Sequence, residues 1–188
     1  MFDLPVFYAS TEGQTRRIAE HIADTLRSRG LNAMAIDVAG PAAEAIDWRD
    51  VQGAIVGASL HLGHHQLSAV KFVKRHVKAL NDRPSMFFSV SMAIRSKNAK
   101  GAEQARVIAA DFLNDTQWHP DSVVCVAGRL AYTKYGWLTR FAMKRIARKE
   151  GGPTDVSRDW EFTDWDAVDR YAIEFAARLR TEPHRVAS

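Results

Sequence analysis

Val6-Phe7-Tyr8-Ala9-Ser10-Thr11-Glu12-Gly13-Gln14-Thr15 is the stretch on which the fold turns. Its first four residues are a short β-rich run, and the next six carry three hydroxyls and a glycine. Beyond them Ile18, Ala19, Ile22, Ala23 and Leu26 recur at helical spacing, with Gly30 as a stop signal. The order is strand, loop, helix, and it repeats. Residues 33–38, 53–57, 86–90 and 123–127 read as four further strands, with helices predicted over 67–80 and 103–113 between them. Thr163 is placed to cap a last helix whose inner face is Trp165, Val168, Ala172, Phe175 and Leu179. Short apolar strands alternating with helices predict an α/β protein, a doubly wound five-stranded parallel sheet covered on both faces, because parallel strands need crossovers that bury them.

The composition agrees with that class and excludes others. With 188 residues, 46% hydrophobic, 26% charged and six prolines, the chain has the makings of one sizeable core. Residues 1–180 are expected to form one domain and 181–188 a polar tail. No run approaches the roughly 18 apolar residues of a membrane span, and the first residues run into a strand without a signal-peptide pattern, so neither secretion nor a transmembrane anchor is expected. The single cysteine, Cys125, sits among valines in the fifth strand. It forms no intrachain disulfide, gives no cysteine metal cluster, and fits core packing in a reducing cytoplasm.

The net charge of +4 is unevenly spread. Residues 71–150 hold sixteen basic against six acidic side chains, whereas the flanking regions each hold five against eight. The cationic character is therefore regional, and it invites nucleic acid, an anionic membrane or an acidic ligand.

In an open parallel sheet, ligands bind beyond the carboxyl ends of the strands where the strand order reverses. There Ser10, Thr11, Glu12, Gly13, Gln14 and Thr15 stand between a strand and a helix N-terminus, where free N–H groups and the helix dipole favour an anion. An ordinary helix cap needs only one hydroxyl. G-x-G-x-x-G is absent, as is the Gly-Lys-Ser/Thr ending of a Walker loop, so a monophosphate suits the loop better than a dinucleotide or nucleoside triphosphate.

This loop resembles the phosphate loop of flavodoxins. Three further segments narrow the resemblance: Gly57-Ala58-Ser59-Leu60-His61-Leu62-Gly63-His64-His65, Phe88-Ser89-Val90-Ser91, and Gly128-Arg129-Leu130-Ala131-Tyr132-Thr133-Lys134-Tyr135. With Gln117-Trp118-His119-Pro120, Gly151-Gly152-Pro153-Thr154-Asp155 and Phe162-Thr163-Asp164-Trp165, they are similar to the flavodoxin-type, quinone-dependent protoporphyrinogen oxidases of bacteria, from about Val6 to about Leu179. The departures are His61-Leu62, where a basic-aromatic pair is more usual, and Ser91-Met92-Ala93.

The resemblance implies a flavodoxin-like sheet of strand order 2-1-3-4-5, with an insertion or extension near the fifth strand. It implies flavin mononucleotide (FMN) as cofactor, and oxidation of protoporphyrinogen IX to protoporphyrin IX in haem synthesis through three two-electron steps. A membrane quinone, menaquinone or ubiquinone, is the implied acceptor. Residue by residue, Ser10, Thr11, Glu12, Gly13, Gln14 and Thr15 would hold the phosphate. Ala58, Ser59 and Leu60 would line one edge of the flavin ring, and Ser89, Val90, Ser91 and Met92 the other. No tryptophan or tyrosine occupies the third-strand loop, which leaves one ring face open to substrate. Two rival functions remain, an NAD(P)H:quinone reductase of the same fold and an electron-carrier flavodoxin; a carrier is normally acidic, which the basic middle region opposes.

His61, His64 and His65 form a cluster. Adjacent histidines do not readily face one metal, and no carboxylate at ligand spacing accompanies them, so no metal is expected. The flavin carries the redox chemistry, and His64 and Tyr132 are the only protein candidates for a catalytic part. Residues 129–150 hold seven cations and one acid, interleaved with Tyr132, Tyr135, Trp137 and Phe141. On a helical wheel Leu138, Ala142, Met143 and Ile146 form the arc expected to pack, while Trp137 and Phe141 fall among Arg140, Lys144, Arg145 and Arg148. Aromatics among cations suit an anionic bilayer surface or a carboxylated tetrapyrrole. Arg129, Tyr132, Tyr135, Trp137, Arg140, Phe141 and Lys144 are therefore expected at substrate or membrane, on the inner face of the cell membrane. Without a nucleic-acid module, nucleic acid is not expected; a homo-oligomer is left open.

Overall fold

The computed structural model describes residues 3–61, 63–95, 99–149 and 152–181. Leu62, Gly151 and Glu150 of the quoted motifs, and the tail from 182 to 188, lie outside the described residues. The order is β1 (Leu4–Ala9), α1 (Gln14–Ser28), β2 (Ala33–Asp37), α2 (Pro41–Glu44), β3 (Ala54–His61), β4 (His64–His65), α3 (Leu67–Asn81), β5 (Ser85–Val90), α4 (Ala99–Thr116), β6 (Ser122–Val126), β7 (Arg129–Leu130), α5 (Trp137–Lys149), β8 (Trp160–Glu161) and α6 (Trp165–Thr181).

The parallel strands lie in the order β2-β1-β3-β5-β6, which is the expected 2-1-3-4-5 arrangement. Two short pairings were not foreseen. β4 folds back antiparallel on the end of β3, and β7 pairs with β8 as a separate two-stranded ribbon in the excursion after the fifth parallel strand. β3 also runs four residues past Gly57, so the segment expected as a loop begins as strand.

Every residue of β1 and β5 is buried, as befits strands covered on both faces. Alternation divides them between two cores. Leu4, Val6, Tyr8, Met86 and Phe88 pack against Ile18, Ile22 and Leu26 of α1 and Val168 and Phe175 of α6. Phe7, Ala9, Val56 and Phe87 face Phe72 and Val73 of α3 and Phe112 of α4. Trp118 joins the second core and donates its indole N–H to the Ser85 hydroxyl, 3.1 Å. Gly57 pairs across the ladder with Phe88, whose ring lies over it: a β-carbon there would come within 1.8 Å of Phe88 Cζ.

α1 ends as its sequence directs. Gly30 takes φ +81°, its N–H reaches the Arg27 carbonyl, and Leu31 N–H reaches that of Leu26, the paired bonds of a left-handed helix stop. α6 starts differently from expectation. Asp164, not Thr163, is the cap, accepting from Ala167 N–H at 2.9 Å. Thr163 is used elsewhere, donating to the Ala127 carbonyl at 2.8 Å.

Candidate functional site

β1, β3 and β5 deliver their carboxyl ends to one side of the sheet, and the chain after β6 closes over them. Together they enclose a cavity of about 350 Å3. Its walls take Ser10, Glu12, Gln14 and Thr15 from the first loop, Ser59 and Leu60 from β3, Val90, Ser91 and Met92 after β5, and Gly128, Arg129, Tyr135, Thr139 and Met143 from the excursion.

The first loop turns at Gly13, whose φ of +93° suits glycine alone without strain. The Ser10 hydroxyl accepts the Gly13 N–H at 3.0 Å and fixes the turn. The opening N–H groups of α1 then stand without intrahelical partners, and its first turn holds no acidic residue. The Thr15 hydroxyl is buried without a hydrogen-bond partner and lies in the cavity wall. A buried polar atom of this kind calls for an occupant with acceptors. The Gln14 side chain points the other way, donating to Glu161 Oε1 at 3.1 Å and Thr163 Oγ1 at 2.9 Å, so of this residue only the backbone is left for the loop's anion. Thr11 is exposed and accepts from Gln66 Nε2 at 3.3 Å.

Gln66, which sequence reasoning missed, joins two walls. The same amide nitrogen donates to Ser59 Oγ, and its own carbonyl oxygen is buried without a partner. Ala58 is fully buried, within the sheet rather than in the cavity wall. Ser89 is also fully buried, and its hydroxyl meets His65 Nε2 at 2.9 Å.

The two adjacent histidines are placed differently. His64 is exposed on the β4 hairpin, whereas His65 is buried against the stacked rings of Phe87 and Phe112, at centroid distances of 5.3 and 4.8 Å. Successive strand residues point to opposite faces, which sends only one of the pair inward. Burial pushes the His65 imidazole down to about 4, so it is neutral at pH 7, with Nδ1 unpartnered. Among the described residues no group of three histidine, cysteine, aspartate or glutamate side chains is placed to hold a metal.

The basic segment also sorts differently from its wheel. Tyr132, a catalytic candidate from the sequence, is fully buried, donating its hydroxyl to the Pro153 carbonyl at 3.0 Å, packs with Leu130 and Ala147, and is not among the residues lining the cavity. Tyr135 does line it, and burial, reinforced by the Glu12 carboxylate, pushes its phenol up. Arg140 is spent on the backbone, donating to the carbonyls of Tyr132 at 2.9 Å and Tyr135 at 3.1 Å. Lys144 is half-buried. α5 packs through Met143 and Ala147, while Trp137 (78% exposed), Leu138 (65%), Phe141 (69%) and Ile146 (54%) face outward. The expected packing arc of Leu138, Ala142 and Ile146 is thus solvent-exposed. Arg129, expected at substrate or membrane, instead bends over the first loop: one guanidinium nitrogen donates to the Glu12 carbonyl at 3.2 Å, and its side chain is only 16% exposed.

A lining that combines the hydroxyl loop with Leu60, Val90, Met92 and Met143 suits a flat apolar ring carrying an anionic tail. Comparison with known proteins is consistent with that shape. Residues 5–157 match the flavodoxin domain family. The chain is 37% identical over 172 residues, 91% of its length and 93% of the relative's, to the protoporphyrinogen IX dehydrogenase (quinone) of Escherichia coli strain K12. It is 32% identical over 181 residues, 96% of this chain and 77% of the relative, to the protein of the same name from Leishmania major. Among solved structures, oxidised flavodoxin 2 from Bacillus cereus superposes with TM-score 0.57 at 16% identity, covering 94% of this chain and 99% of that one. A flavodoxin from the domain Archaea gives 0.52 at 16% identity, over 94% and 98%.

Proposed function

We infer, from the premise that this chain belongs to the flavodoxin domain family and groups there with the quinone-linked protoporphyrinogen IX dehydrogenases, that it is an FMN-dependent oxidoreductase converting protoporphyrinogen IX to protoporphyrin IX with a quinone as electron acceptor. The observation that carries this reading is the cavity itself, which combines the hydroxyl loop before α1 with aliphatic and thioether side chains from β3, the segment after β5 and α5.

Bound FMN supplies acceptance of an electron pair and a proton, and then release of the pair to the quinone. The chain's part is to bind and orient. Thr15, Ser10 and the first N–H groups of α1 suit the phosphate, and Leu60, Val90 and Met92 suit the ring edges. Leu60 in place of an aromatic ring on the β3 side gives a thinner cover than a stacked tryptophan or tyrosine, which fits a site that must admit a tetrapyrrole. The neutral His65 holds Ser89 beneath that site and has no charge to contribute at pH 7.

Peripheral attachment to a bilayer is part of the same reading. The outward face of α5 carries Trp137, Leu138, Phe141 and Ile146 together with Arg145 and Arg148. Rings at headgroup depth and cations against anionic lipid would place the enzyme beside a lipid-soluble acceptor. Among the described residues no helix is long and apolar enough to cross a membrane.

Anaerobic mixing of FMN-loaded protein with protoporphyrinogen tests the reaction directly. The flavin absorbance is expected to bleach and then to return on adding a quinone. A flavin that stays oxidised with protoporphyrinogen but bleaches with NADPH would overturn the reading in favour of a nicotinamide-dependent reductase.

A further inference from the structure

Two side chains from different segments of the cavity wall meet the same need. The Thr15 hydroxyl, on a residue 1% exposed, has no hydrogen-bond partner. Arg129 enters the same cavity from β7 with its Nε buried and unpartnered. The guanidinium has five N–H donors, yet its contacts are the 3.2 Å bond to the Glu12 carbonyl and a long approach, 3.8 Å, to Asp159 Oδ2. Asp159 is already engaged, accepting from the Thr133 N–H at 2.9 Å and hydroxyl at 2.8 Å. A second cation stands at the same turn. Lys134 Nζ donates to the Glu12 carbonyl at 2.9 Å, and it lies 3.7 Å from where a β-carbon on Gly13 would be.

A cation out of water with unused donors is unfavourable unless an anion completes it. We propose that Arg129 is a ligand of the cofactor's phosphate: with the Thr15 hydroxyl and the α1 N-terminus it grips a phosphomonoester from the side opposite the loop. This rests on the FMN reading and adds to it a charged phosphate ligand supplied by the excursion rather than by the hydroxyl loop. The phosphate would then join the two parts of the molecule, pulling the β7 segment onto the turn at Gly13. A propionate of the tetrapyrrole is the other anion available to Arg129, but the α1 N–H groups and Thr15 converge on the same end of the cavity as Arg129 and match a group with three terminal oxygens.

Titration of apo-protein with FMN and with riboflavin, read by quenching of flavin fluorescence, separates these cases. Wild type is expected to prefer FMN strongly. Arg129→Gln should weaken FMN about ten- to a hundredfold, the range for hydrogen bonds to a charged partner, and leave riboflavin within about twofold. Thr15→Val should shift the same ratio in the same direction, by less. FMN, and not riboflavin, should slow tryptic cleavage at Arg145 and Arg148 in wild type, and this difference should vanish in Arg129→Gln. Equal losses for both flavins, or an unchanged ratio in both variants, would overturn the proposal while leaving FMN binding by wild type, and so the functional reading, intact. Wild type that binds neither flavin would overturn both.

Discussion

Phe87 in the sheet and Tyr132 in the excursion between Gly128 and Thr163 are both fully buried aromatics, but they are buried in different ways. Phe87 is stacked on Phe112 at 4.8 Å, meets Trp118 edge-on at 5.6 Å, and belongs to a core fed by β1, β3, α3 and α4. Tyr132 sits in a small cluster with Leu130, Ala147, Met143, Tyr135, Val156, Trp160, Phe162 and Met92, and all but Met92 come from the excursion itself. The excursion is tied to the rest by polar clasps: Gln14 to Glu161 and Thr163, Arg17 to Glu161, Arg129 and Lys134 to the Glu12 carbonyl. The sheet is a platform held by apolar burial, and the excursion is a cover held by hydrogen bonds around a site.

That difference predicts different responses to equivalent damage. Phe87→Ala is expected to lower global stability by about 3–5 kcal/mol in denaturant unfolding, the range for a core aromatic truncated to alanine. Tyr132→Ala should remove as much contact locally and yet lower the global unfolding free energy by less than about 1 kcal/mol, while making α5 sensitive to trypsin, because a small satellite unit opens on its own. A Tyr132→Ala midpoint that falls as far as that of Phe87→Ala would show the two regions to be one cooperative unit.

A smaller effect lies at the edge between them. His65 titrates near 6.5 when unfolded and at about 4 when folded, because burial disfavours its charged form. Above pH 6.5 neither state is protonated there and the folded state is not penalised. As pH falls through that value the unfolded state takes up the proton first, so about 3 kcal/mol of stability is lost by pH 4, the worth of a shift of this size. His65→Gln should lack that component. The measurement is the difference in unfolding free energy between pH 7 and pH 4 for the two proteins, in which other titrating groups cancel.

The same contrast explains what could be read from the sequence. Strands buried on both faces spell themselves out as continuous apolar runs, so β1 and β5 were legible from Val6-Phe7-Tyr8 and Met86-Phe87-Phe88, whereas the strand order came from the family resemblance and not from the runs themselves. The turn before α1 was legible because hydroxyls and a glycine stand between a strand and a helical period there. Two-residue strands are too short for any period, which hid β4, β7 and β8. A wheel says which residues share a face but not which face meets protein, and for α5 it is Met143 and Ala147 that do. Arg129 sat in a run of cations with nothing to tell it from its neighbours; only the fold returns it to Glu12, 117 residues earlier.

The clasp at Gln14 gives a third, smaller test. Gln14→Ala removes two donors, to Glu161 and Thr163, and is expected to destabilise the excursion by about 1–2 kcal/mol, the net value of such bonds. Burial raises the Glu161 carboxyl, but the Arg17 and Gln14 bonds outweigh it and hold it below the usual range, so Arg17 would keep part of the contact. FMN affinity should change little, since this side chain is committed to Glu161 and Thr163. Flavin titration beside hydrogen exchange of α5 amides separates the two outcomes, and a large loss of FMN affinity would mean that the clasp, rather than Arg129, sets the grip on the cofactor.

The smallest effect on stability is expected where the largest apolar groups are least buried. Trp137 and Phe141 contact solvent over most of their surface, so replacing both with serine should change unfolding free energy by no more than about 0.5 kcal/mol. If α5 lies on a bilayer, that double variant should cosediment far less with anionic liposomes at low salt than wild type does, because the rings supply the buried apolar area and the cations alone are screened as salt rises. Charge reversal at Arg145 and Arg148, which share the outward arc, should lower binding to anionic vesicles and leave neutral ones unaffected. Wild type that ignores anionic liposomes would remove the membrane from the account. The exposed face of α5 would then need another partner, and the excursion would stand as a cover over the cofactor alone.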